Sequence, residues 1–284
     1  WTPHAVRAMP PSPHTGKSDP DPEYFTASEL HFIFHGTEWS PGYNFVNTAD
    51  PAVYNLLRSK SYWLIDLHTD PFMPRHAGEH GAKLTAFFNQ TPVGAGEGPG
   101  VENYMDVPVF VSLGEEEEEG GEKRYAYFGQ YDQSRFSDRL DYDRLAENVP
   151  RGVKEFWARQ LARPGRPEWV TRALMEHFWP RPRYEGPVPT DSAISTPASK
   201  REPEDPGLAL EKRVVRALEA YAWELKAWER EARVKASCVS EGMVLAAFAE
   251  PDYSAVAPGL RLWWEYFECR GFDGEFYAML CRLR

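Results

Sequence analysis

Val107-Pro-Val-Phe-Val111 and Arg124-Tyr-Ala-Tyr-Phe-Gly-Gln-Tyr131 are the runs whose reading decides how this chain folds. Both have strand length and are rich in β-branched or aromatic residues, which suit a pleated, buried surface. Beyond them the chain turns helical and basic, through Lys154-Glu-Phe-Trp157 and Trp169 to His177-Phe-Trp179. Two aromatic strands followed by a positively charged helical segment predict a sheet that carries a binding surface. No stretch of it contains a specific catalytic signature.

Working outward, Tyr62-Trp-Leu-Ile-Asp-Leu-His68 is continuous enough in apolar residues to be a buried strand, ended by the Asp70-Pro71 turn signal. Lys83-Leu-Thr-Ala-Phe-Phe88 is a further strand candidate. Thr26-Ala-Ser-Glu29 has the pattern of a capping box, and the Leu30-His-Phe-Ile-Phe34 that follows reads equally as helix or strand. Asp50 to Leu57 reads as a short helix with proline in its first turn. On the other side, Asp141 to Leu161 predicts two helices broken at Pro150, and Pro167 to Phe178 a third. The clearest helix runs from about Leu208 to Arg233, where Val214, Leu218, Tyr221, Leu225, Trp228 and Ala232 recur at spacings of four and three. Such a stripe is a core face or a dimer contact. Val234 to Val239 reads as a strand, Glu241 to Glu250 as a helix capped by Ser240, and Leu260 to Arg270 as a strand. Asp273 is placed to cap a last helix.

The expected fold is therefore α+β, a mixed curved sheet or partial β-barrel with surrounding helices, one of them long and amphipathic. Residues 1–22, rich in Pro, Ser, His and Asp, read as a flexible arm. Residues 23–284 read as a single domain with flexible insertions near 94–100, 114–122 and 186–207. Strands on both sides of the last of these imply that the C-terminal part completes the first sheet.

Composition narrows the function classes. With 284 residues, 42% hydrophobic and 10 tryptophans, the chain can bury a large core. The net charge of -11 argues against nonspecific attraction to nucleic acid or to an anionic membrane. The charge is divided, however. Glu115 to Glu119 with Glu122 form an acidic run, while Arg151 to Arg183 holds eight basic residues against three acidic ones. Cys238, Cys269 and Cys281 form neither a CxxC pair nor a zinc spacing, and an odd number suits a reducing, intracellular compartment. No signal peptide and no apolar run of the ~20 residues a spanning helix needs is visible, so no membrane partner is expected. An opening Trp1 in place of methionine reads as a piece of something longer.

One combination carries a resemblance. Asp70-Pro-Phe-Met-Pro74 with Gly78 and Gly81, Tyr127-Phe-Gly-Gln-Tyr131 with Arg135, Phe156-Trp157, Val234-Lys-Ala-Ser-Cys238 and Trp263-Trp-Glu-Tyr266 together resemble an uncharacterised domain of fungal proteins, from about residue 25 onward. The resemblance implies organisation and no activity. A looser likeness, resting on strand-helix order and the aromatic-glycine-aromatic strand, is to PUA-like barrels, a group that includes readers of modified bases.

Readers of flipped or single-stranded bases need a flat aromatic face, a polar group for the base edge, and cations for phosphate. Tyr127, Tyr131, Trp263 and Trp264 are candidates for the first, Asp66 and Gln130 for the second, and Arg75, Arg135 and Lys154 for the third. The loop from Arg75 to Gly81, with His76 and His80, offers backbone amides and imidazoles to an anion. These residues point to a non-enzymatic recognition module for nucleic acid with a flipped or modified base, requiring no cofactor. The alternatives are a protein-interaction domain, or a metal-dependent enzyme using His68 and Asp70 with His177 as third ligand. Gly94 to Gly100 lacks the lysine and the following helix of a phosphate-binding loop.

Overall fold

A computed structural model of the chain describes residues 1–12, 22–46, 56–86, 104–114, 122–188, 206–254 and 258–284, the side chains of 135–137 and 206–209 excepted. In chain order its elements are α1 (His4–Arg7), β1 (Tyr24–Thr26), α2 (Ala27–Phe34), β2 (Thr37–Ser40), β3 (Tyr43–Phe45), β4 (Ser61–Asp66), β5 (Gly81–Thr85), β6 (Val107–Ser112) and β7 (Arg124–Arg139). They continue with α3 (Tyr142–Asn148), α4 (Arg151–Ala162), α5 (Glu168–Phe178), α6 (Pro206–Ser237), α7 (Glu241–Ala249), β8 (Trp263–Gly271) and α8 (Gly274–Leu283).

The chain forms two compact units, residues 1–167 with 240–284, and residues 168–239. The middle segment thus has contacts of its own. The larger unit holds all eight strands in one sheet of order β2-β3-β4-β6-β7-β8-β5, with β1 added on β7. The pair β4–β6 is parallel, and the other pairings are antiparallel. β8 lies between β7 and β5, so the C-terminal part does complete the sheet.

The sheet is strongly curved without closing. β4 and β5 stand four strand spacings apart, roughly 19 Å in a flat sheet. Yet the Lys83 ammonium of β5 lies 5.9 Å from the centre of the Trp63 ring of β4, and Trp63 meets Phe267 of β8 edge-on at 5.2 Å. Strands four places apart in the sheet thus meet across a concave interior, as a partial barrel requires.

Alternation assigns neighbouring side chains to opposite faces. Tyr62, Phe110, Tyr125 and Tyr127 face the convex side, where Phe25, Leu30 and Phe34 of the α2 region and Phe276 and Leu280 of α8 cover them. Trp63, Ile65, Val109, Val111, Ala126, Phe128, Tyr131 and Phe267 face the concave side. Both faces are buried, which is why these strands are nearly continuous runs of apolar residues.

Local signals act as expected at several helix starts. Thr26 and Glu29 form a reciprocal capping box, which resolves Leu30–Phe34 as helix. Asp141, Ser240 and Asp273 each accept backbone N–H groups at the start of α3, α7 and α8. Val234–Ser237 is not a strand but the last turn of α6. Alanines on either side and the Glu231–Lys235 pair at 2.6 Å favour helix there, and no breaker intervenes. The β2–β3 hairpin has no counterpart in the sequence reading. The predicted helix from Asp50, the glycine excursion 94–100 and most of the acidic run lie outside the described residues. In the smaller unit, Met175 of α5 packs on Ala232 and Ala236 of α6, and the Trp228 indole donates to the Trp179 carbonyl at 2.7 Å. The α6 stripe is buried at Val214 and Ala232, half-buried at Tyr221, Leu225 and Trp228, and exposed at Leu218.

Candidate functional site

The parallel pair β4–β6 ends in a polar crevice. At the carboxyl end of β4 the chain makes one tight turn in which the N–H groups of Thr69 and Asp70 both donate to the Asp66 carbonyl, at 3.0 and 2.8 Å. The Leu67 N–H donates to the Ser112 carbonyl of β6 at 3.1 Å, extending the pairing past the strand ends. This turn sets Asp66, His68, Thr69 and Asp70 around a cleft of about 560 Å³, whose other walls include Asn44, Lys123, Phe156, Arg159 and Gln160. A second cleft of about 430 Å³ adjoins it, sharing Asp66, His68 and Lys123 and reaching Arg75 and Gly114. Crevices beyond the carboxyl ends of adjacent parallel strands are the usual ligand sites of open sheets.

The charges here differ in how far they are committed. Asp66 is half-buried, pairs with Lys123 and accepts the His68 N–H at 2.8 Å. Asp70 is 5% exposed and its two oxygens each accept from the Lys83 ammonium at 2.7 Å, while Lys83 itself is only 2% exposed. Burial pushes the Asp70 carboxyl up from the usual range, with the Lys83 charge pulling it back. The Lys83 ammonium also lies 5.9 Å from the ring centres of both Trp63 and Trp157. On the rim, Arg75 and Arg159 are exposed, and neither guanidinium has a carboxylate partner among the described residues.

The structure brings together only part of the predicted site. Asp66 and Arg75 line the adjoining clefts. His76 is exposed beside them, its Nδ1 3.2 Å from Glu79. His80 is taken up in holding structure, with Nε2 2.7 Å from the Pro10 carbonyl and Nδ1 2.9 Å from the Cys269 N–H. The aromatic candidates do not share a face. Tyr127 is buried on the convex side among Phe110, Phe272 and Phe276. Tyr131 is buried on the concave side, its hydroxyl donating to the Glu79 carbonyl at 2.9 Å, and burial raises its pKa. Trp264 is buried, and Trp263 is half-buried at the start of β8. Gln130 is buried within β7, opposite Pro108 and Gly271. The Lys154 ammonium donates to the Leu145 carbonyl at 3.3 Å, and burial lowers its pKa. Arg135 lies opposite Glu265 in β7, its side chain outside the described residues.

Of the residues named for the metal alternative, Asp70 has both oxygens accepting from the Lys83 ammonium. Among the described residues no group of three or more His, Cys, Asp or Glu side chains can hold a metal.

Lys123, Phe156, Arg159 and Gln160 were missed as site residues. One signal was present: Phe156, Arg159 and Gln160 stand three and four residues apart on one face of α4, alongside the buried stripe of Val153, Trp157 and Leu161. Lys83, a charge inside an otherwise buried strand, was the other.

Fold and cleft define a mixed α+β domain with a polar site at the rim of a partial barrel. The chain belongs to the family described as Domain of unknown function (DUF6697), whose model matches residues 24–283. No curated protein and no solved structure matches it. Among the described residues no helix is long and apolar enough to cross a membrane.

Proposed function

We propose that this chain is a non-catalytic recognition module whose joined clefts bind a single-stranded nucleic acid. The observation that carries the reading is the pair of guanidiniums, Arg75 and Arg159, that have no carboxylate partner among the described residues and line the two clefts joined at the Asp66–Lys123 pair. Two separated cations along one crevice suit successive phosphates better than a single small anion. Phe156, half-buried on the wall, supplies a ring for a base to stack on, and Asn44 and Gln160 supply amides for its edge. The likeness to PUA-like base readers points to the same ligand class. The aromatics first read as a stacking face have no part in it, because three of them, Tyr127, Tyr131 and Trp264, are core.

The test is titration of a labelled single-stranded oligonucleotide at low salt. Binding is expected to weaken as salt rises, and Arg75→Ala or Arg159→Ala each to reduce the slope of log K against log salt by about 0.7. Phe156→Ala is expected to cost about 1–3 kcal/mol of affinity. With a net charge of -11, plain duplex should bind more weakly than single strands. No binding to any oligonucleotide at low salt would remove this reading. Protein interaction would then stand first, with the exposed Val215, Leu218 and Trp223 of α6 as its surface.

A further inference from the structure

The family match begins at residue 24, yet residues 1–12 lie against aromatic surface that belongs to the matched domain. The Trp1 ring meets Phe72 edge-on at 5.5 Å and Trp264 at 5.2 Å, and Phe72 and Trp264 meet each other edge-on at 5.2 Å. Trp264 is 1% exposed and Trp1 50% exposed. The domain's indole is sealed while the covering one stays half in water. Further along the same segment His80 acts as a hook. The Cys269 N–H can only donate, so His80 Nδ1 accepts it, and Nε2 carries the proton donated to the Pro10 carbonyl at 2.7 Å. Pro10 opens the run Pro10-Pro-Ser-Pro13, and proline-rich segments present carbonyls free of internal hydrogen bonds. Between anchor and hook, α1 is a single four-residue turn resting on β8. A turn of that length has no stability of its own and is held by what it rests on.

We propose that Phe72, His80 and Trp264 form a peptide-docking surface, which residues 1–12 occupy in cis and which an aromatic-anchored, proline-containing segment of a partner protein takes in their place. The surface reads two features at fixed spacing, a ring that rests on both Phe72 and Trp264 and a carbonyl that meets the His80 Nε2–H. Each is weak alone. The cis segment holds its place through a high effective concentration, of order mM for a short tether, so a partner binds only by exceeding it or when the anchor is withdrawn.

The experiment uses a fluorescent synthetic peptide with the sequence of residues 1–12, titrated by anisotropy into the full chain and into the full chain carrying Trp1→Ala. The variant, its own anchor removed, is expected to bind the peptide at least about tenfold tighter than the unaltered chain. A peptide whose tryptophan is replaced by alanine should bind the variant at least about tenfold more weakly than the original peptide. Thermal unfolding of Trp1→Ala should stay cooperative. A folded variant that binds the peptide no better than the unaltered chain overturns the proposal. So does a variant that loses cooperative unfolding, because the segment would then be part of the core and not an occupant of a surface.

Discussion

The two faces of the sheet are buried to the same degree by opposite means. The convex face is closed by helices arriving from both ends of the chain, α2 and α8, and its core is aromatic and aliphatic apart from buried tyrosine hydroxyls such as that of Tyr127. The concave face is closed largely by the sheet's own curvature, which brings Trp63, Phe267 and Lys83 together across it. There a charge pair is buried, and among the described residues the indole N–H groups of Trp63 and Trp157 and the Gln133 amide have no hydrogen-bond partner. A helix can turn a complete apolar stripe to a sheet, whereas a rolled sheet must fill its interior with whatever its inward positions supply. Polar groups in such an interior are costly unless paired.

Removing one partner of the pair is the sharpest way to break this contrast. Lys83→Met leaves the Asp70 carboxylate buried without a cation and is expected to cost about 3–5 kcal/mol at neutral pH, measured by urea unfolding. The double change Lys83→Met with Asp70→Leu should recover most of that loss. The pH response of the single variant follows from the sign of the shift. Burial raises the Asp70 carboxyl in the folded state, more so once Lys83 is gone. The folded state then takes up a proton more readily than the unfolded one, and the penalty should shrink as pH falls toward the ordinary carboxylate range. A loss that grows on acidification would mean that the pair is not buried in solution. On the convex face Leu30→Ala should cost about 3 kcal/mol at any pH, through cavity formation. Having no partner in common, the Leu30 and Lys83 changes should add to within about 0.5 kcal/mol. Strong coupling between them would erase the distinction between the faces.

The same contrast explains what the sequence made legible. The strands at 62–68, 107–111 and 124–131, the amphipathic helix from about Leu208 to Arg233 and the caps at Thr26, Ser240 and Asp273 depend on neighbours within a few residues, and periodicity and capping chemistry report those directly. Curvature was legible only as a class, because the meeting of Trp63 with Lys83 is made by strands far apart in sheet order. The aromatic residues of β7 were misjudged for a related reason. Alternation shows that Tyr127 and Phe128 face opposite ways, but not that both faces are covered, since the cover on Tyr127 comes from Phe276, well over a hundred residues later. Asp66 and Arg75, which line the clefts, could be named from the sequence because a strand end and a polar loop are visible locally. Arg159 was not, because its place at the cleft depends on how α4 lies against the sheet.

The smallest effect tests whether the convex cover is held by its own cap or by burial alone. The Thr26 hydroxyl accepts the Glu29 N–H at 3.1 Å, and the Glu29 carboxylate accepts the Thr26 N–H at 2.8 Å. That backbone hydrogen bond holds the Glu29 carboxyl below its ordinary range. A carboxylate with a lowered folded-state pKa stabilises above its unfolded value and loses that contribution as pH falls through the folded one. The cap should therefore act fully above about pH 5 and fade below about pH 4. Thr26→Ala removes the hydroxyl and is expected to cost about 1 kcal/mol at neutral pH. Glu29→Gln, which keeps an acceptor but loses the charge, should cost less, and its difference from the unaltered chain should vanish in acid. If α2 is held by Leu30 and Phe34 alone, both variants will unfold like the unaltered chain at every pH, and the reciprocal cap will have been geometry without energetic weight.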